Sequence, residues 1–328
     1  VPASREKSPS GIFERIRSAC ARVAEDARFV RVVEARLHPY ARDLAIGGIP
    51  APSLDPFFHY VGDESTTIAY FVTLDAVNFG SGYFPQLKKR PGMSGYFTVA
   101  SALADRFRRQ GPFDASELAL VGPAACARLF GQEHAGDSID ELMQWFARAW
   151  NDLGEDLLRR FDGEFRGLVE SAHGSAARLV EILSAQELFR DITAYRSFEV
   201  PLFKRAQILA SDLALALHEF GLGRFDDLDR LTLFADNLVP HVLRLDGVLE
   251  YTPELLERIE RGERIPAGSE EEVEIRACAL HAVELLTGTL RGLGLGVTAR
   301  ALDNLLWARG QGARYKSVPR HRTRTVYY

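Results

Sequence analysis

The chain has 328 residues, 46% hydrophobic and 26% charged, and its 40 Lys+Arg against 45 Asp+Glu give a formal charge of −5. Such a composition excludes disordered and fibrous classes, and the mild acidity argues against bulk attraction to nucleic-acid phosphate. No apolar run reaches the roughly 18–20 residues of a membrane helix, the N-terminal stretch lacks a secretory hydrophobic region, and the dispersed Cys20, Cys126 and Cys278 form neither a disulfide framework nor a zinc knuckle.

In chain order, Ser10-Gly11 is expected to cap a helix in which Ile12, Ile16, Ala19 and Val23 keep the 3–4 spacing. A second helix, from Val30 to Ala45, is expected to be cut by Pro39. Gly47 to Pro56 reads as a turn-rich connection. The stretch 66–79 has the β-branched and aromatic content of a buried strand, although a helix fits as well. From Met93 onward the pattern is helix after helix. The segment 116–131 carries a central Gly-Pro break, and Ser138 with Glu141 reads as a capping box opening the next helix. Ser269 with Glu272 makes a second such box. Residues 231–249 read as a helix kinked at Pro240, with Asp229 and Asp236 on one face. With no repeat and no linker, residues 1–328 form one mainly α domain with at most a small strand element.

Several chemistries are excluded by motif. There is no phosphate-binding loop of the GxxxxGK[ST] type, no HExxH and no GxSxG. Gly292 to Gly296 alternates glycine and leucine but lacks the preceding strand of a dinucleotide site, so it reads as a turn. His218, His241 and His281 show no metal spacing. Neither a metal nor any other cofactor is expected.

Four segments carry candidate chemistry. Phe57-Phe58-His59-Tyr60 and Asp75 to Phe84 set an acid and an amide, Asp75 and Asn78, among aromatics such as Phe79. They fit either a planar pocket with hydrogen-bonding edges or an aromatic core in which the polar pair caps backbone groups. Lys204 and Arg205 open an apolar helix and read either as an anion site or as a solvated pair. Phe225 is followed by Asp226, Asp227 and Asp229, which form a binding cluster or a helix cap. Asp236 stands amid Leu233, Phe234, Leu238 and Val239, where a carboxylate is costly unless paired or exposed. Asp303 and Trp307 share a helix face, and the basic tail from Arg314 ends in Val326-Tyr327-Tyr328, which argues that it docks on the body.

Taken together, these segments resemble the queuosine salvage protein family. The matching stretches are Thr73 to Phe79, Leu202 to Leu209, Leu231 to Asp236 with Val239-Pro240, and His321 to Tyr328. Two places depart from the family pattern: Asn237-Leu238 stands where an aromatic-arginine pair is expected, and Gly80-Ser81-Gly82 is smaller than usual. The resemblance implies a fold like the helix-hairpin-helix DNA glycosylases. It also implies a cytoplasmic, monomeric hydrolase that releases queuine from queuosine 5′-monophosphate, with no direct nucleic-acid or membrane partner. An oxocarbenium-like transition state needs a carboxylate, for which Asp236 and Asp303 are the candidates. The base calls for an aromatic platform from Phe79, Phe225 or Trp307 and for carboxylates such as Asp226, Asp227 or Asp229. Lys204 is the first choice for the phosphate, and tail arginines such as Arg322 are the second. Two other readings fit the same residues: a non-enzymatic nucleoside- or nucleotide-binding protein, and a base-excision enzyme like a DNA glycosylase.

Overall fold

Helices apolar on every side have to be buried, and one of them organises the cavity half of the chain. The computed structural model describes residues 11–328, so Ser10 lies outside the described residues. Glu64–Ala76 is a helix (α3) in which every residue from Thr67 to Ala76 is buried. Of the strand and helix readings open for 66–79, the helix is the one that forms. Asp63 decides the local choice by accepting the Thr66 N–H at 2.9 Å as an N-cap. Around α3 pack α4 (Gly95–Gln110), α7 (Asp137–Arg160), α8 (Phe165–Glu170) and α10 (Lys204–Ala216). Trp150 on α7 donates its indole N–H to the Thr73 carbonyl at 2.9 Å.

The other half is built on α13 (Glu270–Gly292), which packs against α1 (Ile12–Asp26), α2 (Glu34–Gly47), α11 (Val239–Leu245) and α14 (Ala299–Gly310). Two small antiparallel ladders complete it. β1 (Val30–Val32) pairs with β4 (Leu249–Tyr251), and β2 (Ile192–Tyr195) forms a hairpin with β3 (Phe198–Pro201) in register Ile192 to Pro201. Among the described residues no helix is long and apolar enough to cross a membrane.

Other expectations fare unevenly. The Gly-Pro break does separate α5 (Ala115–Leu120) from α6 (Pro123–Phe130), and Ser269 caps α13 by accepting the Glu272 N–H. Pro39 lies inside α2 without cutting it, because burial of Tyr40, Ala41 and Leu44 compensates one missing hydrogen bond. The Ser138–Glu141 box does not form. Gly136 is the N-cap, and both side chains are taken by the tail: Arg324 reaches Glu141 at 3.0 Å and also donates to Ser138.

The stretch before Pro240 is not helical. Residues 231–236 run extended, Asp229 and Asp236 share no helix face, and Pro240 sits in the first turn of α11. A buried extended loop needs partners for its backbone, and side chains supply them. Gln207 accepts the Thr232 N–H at 2.9 Å, Asp303 accepts that of Phe234 at 3.1 Å, and Arg276 Nε donates to the Ala235 carbonyl at 2.9 Å. Asp236 closes the loop by accepting the N–H groups of Leu238 and Val239 at 2.8 and 3.0 Å.

The tail docks as its apolar end implied. Ile265 N–H donates to the Arg322 carbonyl at 2.9 Å, and Gly80 N–H to that of Tyr328 at 3.0 Å. This explains the glycine at 82, where a Cβ would collide with the Thr323 carbonyl.

Arg276 meets Asp191 in a buried bidentate pair at 3.0 and 2.6 Å. Arg276→Met leaves Asp191 buried without its cation, and Asp191→Asn leaves Arg276 with only Glu272, 3.5 Å away. Asp191→Asn or Arg276→Met should each destabilise by about 3–5 kcal/mol in urea unfolding. The double variant should recover part of that loss, with the Ala235 carbonyl and Glu272 still losing their partner in Arg276.

Candidate active site

A cavity of about 800 Å³ opens between one face of α10 and one face of α14. Helical spacing sets both walls. Lys204, Ile208, Ser211, Asp212 and Leu215 recur at 4, 7, 8 and 11 residues along α10, and Arg300, Asp303, Asn304 and Trp307 recur at 3, 4 and 7 along α14, with Gln311 just past its end. The loop ending in Asp236 makes the floor, the start of α4 brings Tyr96 and Phe97, and the tail brings Lys316, Arg320 and Arg322. The aromatic wall is rigid. Trp307 presents edge contacts to Phe97 at 5.6 Å and Tyr96 at 5.9 Å, and Phe58 stacks behind Phe97 at 3.9 Å.

Lys204 and Arg205, for which a solvated pair was one reading, are both buried and do different work. Lys204 Nζ donates to the Asn78 carbonyl at 3.3 Å, while its backbone N–H donates to Asp191 at 3.2 Å. Burial lowers its pKa, an effect that Asp236 and Asp75 oppose. Arg205 turns away from the cavity to hold the Asp75 and Ala76 carbonyls at the end of α3, between the rings of Phe79 and Phe189. Burial pulls its pKa down to about 10.

Four acids line the cavity: Asp55, exposed and accepting the Phe57 N–H, and Asp212, Asp236 and Asp303. Asp236 is partly exposed, and its Oδ1 takes both backbone N–H bonds, so the second oxygen is left for a ligand. Asp303 is 7% exposed. Burial, and next the charge of Asp236, hold its carboxyl well above the ordinary carboxylate range, although the Phe234 N–H and Lys204 pull the other way. Asp75 is fully buried beneath Asn78, whose amide donates to it at 2.9 Å, and burial raises it to about 7. It supports the cavity wall without lining it.

The remaining expected residues divide. His59, Asn78, Phe79, Trp307 and Arg322 line the cavity. Both ring nitrogens of His59 are engaged, one with Tyr96 OH and one with the Asp55 carbonyl, each at 2.9 Å, so it ties the 52–59 segment to α4. Phe79 is 2% exposed and packs edge-on against Phe146. Phe225, Asp226, Asp227 and Asp229 lie outside the cavity lining. Asp227 receives the Ala176 and Ala177 N–H groups at 2.6 and 3.1 Å, which caps α9 (Ala176–Leu183), while Asp226 and Asp229 are exposed. Of this cluster only Asp227 acts as a cap, and the helix it caps is distant in sequence rather than the one that follows it.

Sequence reasoning missed Asp212, Tyr96, Phe97 and Lys89, whereas Lys316 and Arg320 lie in the basic tail whose arginines were the second choice for the phosphate. The spacing of Asp212 from Lys204 was a usable signal. Lys89 gave none, because it joins the tail only through tertiary folding. Arg320, Lys316 and Arg322, after burial, lower the pKa of Lys89, which shows that all four share one rim. Among the described residues none of the four makes a salt bridge.

A family model described as queuosine salvage protein matches residues 58–328. The queuosine 5′-phosphate N-glycosylase/hydrolase of Sphaerobacter thermophilus is 38% identical over 312 residues, covering 94% of this chain and 95% of that protein. The protein of the same name from Dictyostelium discoideum is 34% identical, with 84% and 85% covered, and that from Mus musculus is 35% identical, with 57% and 58% covered. The chain belongs to the queuosine salvage protein family.

Proposed function

We propose that this protein hydrolyses the N-glycosidic bond of queuosine 5′-monophosphate, giving queuine and ribose 5-phosphate, with the whole chain acting as one catalytic domain. The observation that carries this reading is the order of charges in the cavity: four unpaired cations at the rim, the Lys204–Asp236–Asp303 group inside, and an aromatic wall beyond. A zwitterionic nucleotide with a planar base fits that order. Relatives bearing the hydrolase name over nearly the whole chain favour it over simple binding.

The C1′–N9 bond breaks with its electron pair going to the base, and a water oxygen bonds to C1′. Asp236 faces the developing oxocarbenium ion and takes the proton released by that water. Asp303 holds its proton through burial, and this proton goes to the departing base. Lys204 lies among the acids with its ammonium on the Asn78 carbonyl. We therefore assign the phosphate to Lys89, Lys316, Arg320 and Arg322, and assign Lys204 to holding the acids in place.

Asp236→Asn keeps the acceptor for Leu238 and Val239 N–H but removes the charge. It should lower the single-turnover rate by about 10² or more with little change in melting temperature. A near wild-type rate would remove Asp236 from catalysis. At the rim, Arg320→Ala should raise KM for the monophosphate about 10-fold while leaving hydrolysis of the nucleoside within about 3-fold. Equal losses on both would assign the rim a structural role.

The raised pKa of Asp303 also has a stability consequence. In the unfolded chain this carboxyl ionises in the ordinary range, whereas in the folded chain it keeps its proton to higher pH. Its contribution is thus fully present below about pH 4 and is lost as pH rises through the folded pKa. Asp303→Asn removes that loss. The melting temperature of the variant relative to wild type should therefore rise between pH 5 and pH 8, and an offset independent of pH would show that Asp303 is ionised throughout.

A further inference from the structure

The cavity wall holds a carboxylate that the hydrolysis as proposed does not use. Asp212 stands two turns along α10 from Lys204, about 12 Å by helical rise. It is close enough to Tyr96 to act on that hydroxyl, and Tyr96 lies against both Phe97 and Trp307. Arg300 is the nearest guanidinium on α14, yet it donates to Ser211 Oγ at 3.2 Å and makes no ion pair with the acid. Among the described residues the Asp212 carboxyl has no hydrogen-bond partner and no cation within ion-pair distance.

Asp212 is half-buried, and its surroundings disfavour a free charge. Burial, and next the neighbouring Asp75, hold its carboxyl well above the ordinary carboxylate range, with Asp303 adding to the effect and Lys204 and Arg300 opposing it. Arg320 of the rim acts on Asp236 instead, so Asp212 lies away from the phosphate-binding end. An acid at the base end of an aromatic slot, lacking a cation of its own, is a receptor for a ligand cation.

We propose that Asp212 is the specificity residue for the base, its carboxylate pairing with a secondary ammonium carried on an aminomethyl arm of a 7-deazaguanine and so selecting the modified base over an unmodified one. The proposal rests on the hydrolase reading for the identity of the base, although not on hydrolysis itself. When the ammonium arrives, the carboxyl gives up its proton to solvent and the N–H⁺ donates to the carboxylate. No bond to carbon is made or broken.

Calorimetric titration of the full chain with free queuine and with 7-deazaguanine, in two buffers of different ionisation enthalpy, tests this. Wild type should bind queuine more tightly than 7-deazaguanine and release a proton with queuine alone. Asp212→Asn should weaken queuine about 30-fold, abolish the proton release, and leave 7-deazaguanine within about 3-fold. Asp212→Ala serves in the same titration if the first variant fails to fold. Equal weakening on both bases, unchanged queuine affinity, or no preference by wild type would overturn the assignment. Wild type that binds queuine but leaves queuosine 5′-monophosphate intact would sink the hydrolase reading and leave Asp212 standing.

Discussion

The guanidinium of Arg276 and the carboxylate of Asp191 meet at 3.0 and 2.6 Å inside the core, and each partner has a second task. Arg276 Nε holds the Ala235 carbonyl, and its guanidinium lies over the ring of Tyr328 at 4.5 Å. Asp191 receives the Lys204 N–H, and its own carbonyl takes that of Leu202. One pair therefore fixes the loop that carries Asp236, the helix start that carries Lys204, and the end of the tail that carries the rim cations. Charge pairs buried this deeply return little net stability over an apolar packing of the same volume. What this one supplies is position, because three chain segments distant in sequence have one arrangement that satisfies both ions.

The loop from Leu231 to Leu238 shows the same logic at the backbone. Its apolar residues point inward, and the donors and acceptors a helix would have used internally are met by Gln207, Arg276, Asp303 and Asp236. Such a loop is rigid in the way a packed core is rigid. It sets Asp236 on the cavity floor with one oxygen already committed, which is the kind of prior orientation that electrostatic catalysis requires.

How much of this was legible in the sequence depended on whether the signal was local. The α-rich class, the Gly-Pro break, the Ser269 cap and the docked tail follow from residues within a few positions of one another. So does the pairing of Asp303 with Trp307 on one face. The failures share a cause. Residues 66–76 look like a strand because a helix buried on all sides has no amphipathic period. The Leu231 segment looks like a helix because its apolar content is right, and what keeps it extended comes from positions 207, 276 and 303. Ser138 and Glu141 have the spacing of a capping box, but Arg324 from the far end of the chain takes both. Asp226, Asp227 and Asp229 form a dense acidic run outside the cavity, whereas Asp212, isolated in sequence, is brought into it by the turn of α10.

Burial sets the proton distribution around the cavity. Asp75, Asp212 and Asp303 are all pushed upward, each first by burial and each with another acid adding to the effect or Lys204 opposing it. So many acids around one buried lysine cannot all ionise at once without large repulsion. The interior is therefore short of positive charge until something cationic enters. A neutral ribose relieves little of that shortage, whereas an oxocarbenium ion forming beside Asp236 relieves much more. For the proposed hydrolysis the difference works in the required direction: the same crowding that penalises the empty site stabilises the transition state more than the bound ground state.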